Sequence, residues 1–207
     1  MPFVKTIAKQ LRKPSGIIGR FVIARMLNRR NVPLNLLTLQ CLELQADDRV
    51  LEVGFGGGEL MSRTAAIVTA GSIAGVDFSP AMVGLCARRF ASLIAQKRLE
   101  LHCVGAENLP FQASQFTKAS TVNTIYFWPD PRGSLIEIYR VLRAGGRLVL
   151  GFNPPQTLRK VPYTKYGFYF HEPAQVESQL AEAGFREIRM VSGAGLIGEF
   201  ICAVAIK

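Results

Sequence analysis

Glycines stand at positions 54, 56 and 58 in the run Val50-Leu51-Glu52-Val53-Gly54-Phe55-Gly56-Gly57-Gly58, between a short apolar stretch and a helical one. Lacking β-carbons, such a loop can tighten and let a ligand lie against its backbone, while N–H groups at the helix start face an anionic group. A plain strand-to-helix turn would use the same glycines, so the loop alone decides nothing. Two neighbours add to it. The dinucleotide fingerprint GxGxxG needs glycine at position 59, where this chain has Glu59, so the loop reads GxGxG behind an acid, Glu52. Asp77 closes the next apolar run, where a carboxylate can accept both hydroxyls of a ribose. Its other reading is an anion stabilising the N-terminus of the following helix.

Aromatic residues Tyr126, Phe127 and Trp128 end a later apolar run, and strand C-termini are where sheets of this kind bind ligands. Packing of these rings is the alternative for each. His171 follows the aromatic stretch 163–170 and is a candidate base, with capping or a surface position as the alternative. The run Asn153-Pro154-Pro155-Gln156 superficially resembles the amine-binding NPPY of nucleic-acid methyltransferases. It follows the wrong strand, and Gln156 replaces the stacking aromatic, so it is set aside. The sequence holds no GxSxG, GxxxxGK or HExxH, and its four cysteines show no CxxC spacing, so no metal site is expected.

The elements that must carry these residues alternate. Strands are expected at 49–53, 72–77, 99–104, 118–125 and 147–152, with helices after the glycine loop, from Pro80 with Ser79 as cap, and over 131–143, ended by Gly145-Gly146. Such alternation builds a parallel sheet with helices on both faces. After a helix over 173–183, strands 185–192 and 199–206 are joined by a connection too short for a parallel crossover, so they form an antiparallel hairpin. The fold expected is α/β, a Rossmann-like, mostly parallel seven-stranded sheet with that hairpin at its end. Residues 46–207 make this domain, and residues 1–45 make a basic helical arm or lid, divided at Pro14-Ser15-Gly16 and at Pro33.

The net charge of +10 belongs to that arm. Eight basic residues precede Glu43, the first acidic one, whereas the remaining 17 basic and 15 acidic side chains nearly balance. Apolar Ile17, Ile18, Phe21, Val22 and Leu27 interleave with Arg20, Arg25, Arg29 and Arg30 at roughly helical spacing. Such a segment can lie on an anionic membrane surface or pack over the domain as a lid. No apolar run is long enough for a spanning helix, and the N-terminus lacks the pattern of a secretory signal, so a cytoplasmic protein, peripheral at most, is expected.

Taken together, these motifs resemble those of the class I S-adenosylmethionine (SAM)-dependent methyltransferases, in particular the small-molecule group that includes the quinone-biosynthesis C-methyltransferases. VLEVGFGGG is similar to the family's first motif, GVDFSPAMV to its second, VGAENLPF to its adenine segment and RVLRAGGRLVL to its fifth-strand signature. The resemblance implies that Glu52, Gly54, Phe55, Gly56 and Gly58 line the methionine moiety of SAM and that Asp77 binds ribose. It further implies that Phe78 packs on adenine, Ala106 and Glu107 border the adenine edge, and Asn123 sits beneath the sulfonium. Two positions depart from the pattern: Gly105 stands where the family usually has an aspartate for the adenine amine, with Glu107 the candidate substitute, and Tyr126 stands where it often has histidine.

The activity implied is methyl transfer to a small-molecule or lipid-like acceptor. A nucleic-acid methyltransferase using the basic arm on phosphates, and a SAM-binding regulator without catalysis, are the two alternatives; the sequence contains no added nucleic-acid module. Methyl transfer from a sulfonium needs alignment and exclusion of water more than it needs a base. Tyr126 and His171 are the candidates for polar contact with the acceptor.

Overall fold

A computed structural model of the chain describes residues 31–207, and the basic segment 1–30, with the membrane and lid readings placed on it, lies outside the described residues. Seven strands form one sheet in the order β3-β2-β1-β4-β5-β7-β6: β1 Arg49–Val53, β2 Ser72–Val76, β3 Leu99–His102, β4 Phe116–Val122, β5 Leu142–Phe152, β6 Arg186–Ala194 and β7 Glu199–Ile206. The first five pair in parallel, and β7 runs antiparallel to both β5 and β6. The sequence reading of a parallel sheet closed by a hairpin therefore holds.

Strands covered on both faces read as largely apolar runs, as β2 and β7 do, and as β1 does apart from Arg49 and Glu52. Along β5 the residues alternate. Leu148, Leu150 and Phe152 join a core with Leu135 and Ile138 of α5 (Pro131–Val141) and Val176 and Leu180 of α7 (Pro173–Glu182). Val149 faces the opposite way, packing with Cys202 of β7 against Leu34, Cys41 and Leu42 of α1, residues 31–42. The remaining helices are α2 Glu59–Ile67, α3 Pro80–Arg89, α4 Ala91–Ala95 and α6 Pro155–Leu158. Among the described residues, no helix is long and apolar enough to cross a membrane.

Several expected boundaries move for local reasons. Residues 31–42 form one helix across Pro33 instead of dividing there. Strand β4 ends at Val122, not at 125, because Asn123 adopts φ +56° and turns the chain into a 3-10 turn, Ile125–Phe127. Gly145-Gly146 does not end a helix. Helix α5 stops at Val141, and the pair lies inside β5, where pairing with β4 jumps from Phe116–Leu142 to Lys118–Arg147 and residues 143–145 are exposed in a bulge. Ser79 precedes α3 as expected, but its side chain makes no capping bond; the carboxylate of Asp77 takes the Ser79 N–H instead.

After β1 the chain winds outward through β2 and β3, then returns to the other side of β1 as β4. That reversal opens a crevice at the C-terminal ends of β1 and β4, where open α/β sheets bind ligands.

Candidate active site

The crevice holds a cavity of about 420 Å³, walled by the glycine loop, the ends of β2 and β4, residues 104–107, the segment after β5, the tip of the β6–β7 hairpin and the start of α1. Gly54 has φ +74°, and a β-carbon there would collide with the Thr124 methyl, so only glycine fits. Gly56, with φ +50°, has open space where its side chain would be and so presents bare backbone to the cavity. From behind, the Arg89 guanidinium donates to the Gly57 carbonyl at 2.6 Å and holds the loop against α3.

Asp77 lies at the centre of this arrangement. It is 6% exposed, and its carboxylate oxygens accept N–H bonds from Gly56 and Ser79, each at 2.9 Å. Burial raises its pKa, opposed by those two bonds. Glu52 is more isolated. At 4% exposed, its Oε2 has no hydrogen-bond partner, and burial, reinforced by the charge of Asp77, pushes its pKa up to about 8. Phe78 leaves its ring 42% exposed at the cavity wall. Ala106 is buried beside it, and Glu107 folds its carboxylate back over Gly105, into the space that a residue-105 side chain would take.

Beyond the loop, an amide network forms the other end. Asn123 Oδ1 accepts from Asn153 Nδ2 at 2.8 Å and from the Tyr126 hydroxyl at 3.1 Å, and Asn123 Nδ2 donates to Asn31 Oδ1 at 3.1 Å. The Asn153 backbone N–H donates to the Tyr126 oxygen. Tyr126 is thus at the cavity, but it is 2% exposed, its hydroxyl is committed, and burial pushes its pKa up. His171 is not brought to this cavity. It lines a separate groove beyond Trp128 and Pro129, where burial lowers its pKa against a backbone hydrogen bond with Ile125. Asn31, Arg89 and Asn153 were not candidates from sequence. Only Asn153 had a signal, in the run set aside as a poor amine-binding motif, and the three come together solely through the fold.

Among the described residues, the acids lining the cavity are Glu52, Glu59, Asp77 and Glu107, of which Glu59 is paired with Arg63 and Arg89; no lysine, arginine or histidine lines it. Such a wall disfavours phosphate-bearing ligands and favours a cationic one. A methyltransferase-domain family model matches residues 51–150. A Bacillus subtilis (strain 168) protein described as the uncharacterized methyltransferase YdaC is 31% identical over 159 residues, 76% of this chain and 82% of that one. The chain belongs to the class I SAM-dependent methyltransferases.

The ubiquinone/menaquinone biosynthesis C-methyltransferase UbiE of Geotalea daltonii is 35% identical over 128 residues, 59% of this methyltransferase and about half (52%) of that relative. In fold, the methyltransferase matches a chain of the complex between the Haloferax volcanii Trm112 methyltransferase activator and a putative methyltransferase, with TM-score 0.80 and 17% identity over 98% of this chain and 96% of that one. The family's cofactor suits the site: SAM carries a sulfonium and an ammonium, and Glu52 offers an unpartnered buried carboxylate.

The Glu52 shift fixes a sign. Between its ordinary value of 4.5 and about 8, the carboxyl is protonated in the folded chain and ionised in the unfolded one, so this group lowers stability as pH rises through that window. A cation bound beside Glu52 reverses the preference. SAM binding at pH 7 should therefore expel up to about one proton, read as a buffer-dependent heat in titration calorimetry. The effect should vanish in Glu52→Gln; equal heats in buffers of different ionisation enthalpy would refute it.

Proposed function

We propose that this methyltransferase acts on a small, apolar, aromatic or lipid-like acceptor. The observation that carries the reading is the composition of the far end of the cavity: Phe127, Trp128, Leu158, Tyr163 and Phe168 around neutral amides, with no cation among the described residues. The printed name of the UbiE relative agrees with it.

SAM supplies an electrophilic methyl group on sulfur. Asp77, its two oxygens already anchored by backbone N–H groups, would offer its remaining lone pairs to the ribose hydroxyls. Gly54, Phe55, Gly56 and Gly58 would let the methionine moiety lie on bare backbone, with Glu52 facing its ammonium. Phe78 would cover one face of adenine beside Ala106, and Glu107 would accept from the amine. Asn123, fixed by Tyr126, Asn153 and Asn31, would border the methyl group. Tyr126 would then serve as a positioning residue, and His171, lining the separate groove beyond Trp128, is given no part in the transfer. The acceptor atom must accordingly arrive with an available electron pair, and the aromatic walls align it and exclude water.

Methyl-labelled SAM incubated with fractionated cell extract should place label in the apolar small-molecule fraction; label in nucleic acid or protein would overturn the acceptor class. Asp77→Ala should weaken SAM binding by ~1.5–3 kcal/mol, roughly ten- to a hundredfold, by calorimetry. Glu107→Gln should weaken S-adenosylhomocysteine more than its inosine analogue, and Gly105→Ala should do the same by displacing the Glu107 carboxylate; equal losses for both ligands would remove Glu107 from the purine edge. Residues 1–30 carry a further proposal from their charge, peripheral contact with anionic membrane. Vesicle sedimentation should show retention on anionic liposomes, reversed by salt and lost on deletion of the segment, whereas equal retention on neutral liposomes would refute it.

A further inference from the structure

Helix α1 supplies cavity-wall residues Asn31, Pro33, Leu34 and Asn35 at one end and rests on β5 and β7 along its length. The approach is close. A β-carbon on Gly151 of β5 would lie 3.0 Å from Thr38 Oγ1 and 3.1 Å from Leu34 Cδ1. At the same contact Thr38 Oγ1 lies 3.4 Å from Cys202 Sγ of β7, and Cys41, one turn beyond Thr38, is buried with Cys202 in one cluster, where the two thiols interact electrostatically. The residues are 161 positions apart in sequence, so nothing in their spacing announces the pair.

Their surroundings make the two thiols unequal. Interaction with the Cys202 thiol, helped by the Arg189 and Arg147 guanidiniums against burial and the charge of Glu43, brings Cys41 down to about 7. Arg147 also donates to the Cys41 carbonyl at 2.8 Å. Cys202, fully buried, is pushed up and stays protonated. The other two cysteines differ: Cys86 is pushed up to about 12 by burial, and Cys103 is exposed, its sulfur 3.9 Å from the Phe78 carbonyl.

We propose that Cys41 and Cys202 form an oxidisable dithiol site whose disulfide fastens α1, and with it the α1 wall of the cavity, to β7. Hydrogen peroxide is the oxidant. The Cys41 thiolate attacks one peroxide oxygen, the O–O bond breaks, and the other oxygen leaves as hydroxide, taking up a proton to become water. The Cys202 thiol then attacks the resulting sulfenic sulfur; the S–S bond forms, the S–O bond breaks, and the oxygen leaves as water with the Cys202 proton. Two thiols lose two electrons to one peroxide and give one disulfide and two waters. This site is independent of the acceptor's identity.

The alternative is that both cysteines serve only as small residues where α1 packs closely. Full-length Cys103→Ser protein, folded and treated with hydrogen peroxide, then denatured, alkylated with N-ethylmaleimide and mapped by mass spectrometry, separates the two. The expected result is a dithiothreitol-reversible 41–202 cross-link with loss of both adducts, while Cys86 remains alkylated. Retention of both adducts, or oxidation of Cys41 to sulfinic acid with Cys202 still alkylated, overturns the site. Trp128, the chain's sole tryptophan, lines the cavity and reports ligand binding by fluorescence. The cross-linked protein should bind S-adenosylhomocysteine more tightly by roughly fivefold, and peroxide should leave the affinity of the Cys41→Ser/Cys103→Ser protein unchanged. A cross-link with unaltered affinity overturns the effect on the cavity wall.

Discussion

The backbone N–H of Gly56 donating to the carboxylate of Asp77 is the bond on which the site's geometry depends. It ties the loop after β1 to the end of β2, and the same carboxylate, through Ser79, sets the start of α3. Arg89, near the end of α3, returns to the glycine loop at Gly57 and closes the circuit. The acid therefore holds the N-terminus of a helix, one of the two readings open to it in sequence, and it stands at the cavity, where the other reading would need it. Because its oxygens are already engaged with backbone, its position is fixed before any ligand arrives, which lowers the ordering cost of binding.

Legibility in the sequence divides along the range of the interactions. That the glycine loop, Glu52 and Asp77 meet at the crevice was readable because each place depends on local backbone geometry at the end of a strand. The hairpin was readable because a short connection excludes a parallel crossover. Boundaries failed where one residue's backbone overrides an apolar run, as Asn123 does at the end of β4, or where a bulge absorbs glycines that look like a stop, as in β5. The amide network and the Cys41–Cys202 contact were invisible, since Asn31, Asn123 and Asn153, like the two thiols, meet only after the sheet has assembled. His171 shows the converse: an ionisable residue near an aromatic stretch invites a catalytic role, yet Trp128 and Pro129 put it on the far side of a wall.

The far end of the cavity makes its polarity from amides instead of ionised groups. Asn123 is held at positive φ with its carboxamide oxygen taking two donors and its nitrogen a third partner, so its orientation is set by three neighbours at once. Neutral networks of this kind keep their geometry across pH, and the aromatic walls beside them carry no charge to desolvate. This division, carboxylates at the glycine loop and amides at the opposite end, gives one cavity two chemically distinct halves.

The all-carboxylate wall of the first half also bears on turnover. Methyl transfer abolishes the positive charge on the cofactor's sulfur while leaving nearly every other atom of it in place. With the cofactor in this cavity, Asp77, Glu107 and a Glu52 ionised by the incoming cation would favour the charged donor over the neutralised thioether left behind. Exchange of spent cofactor for fresh would then be favoured by charge alone, without any moving part.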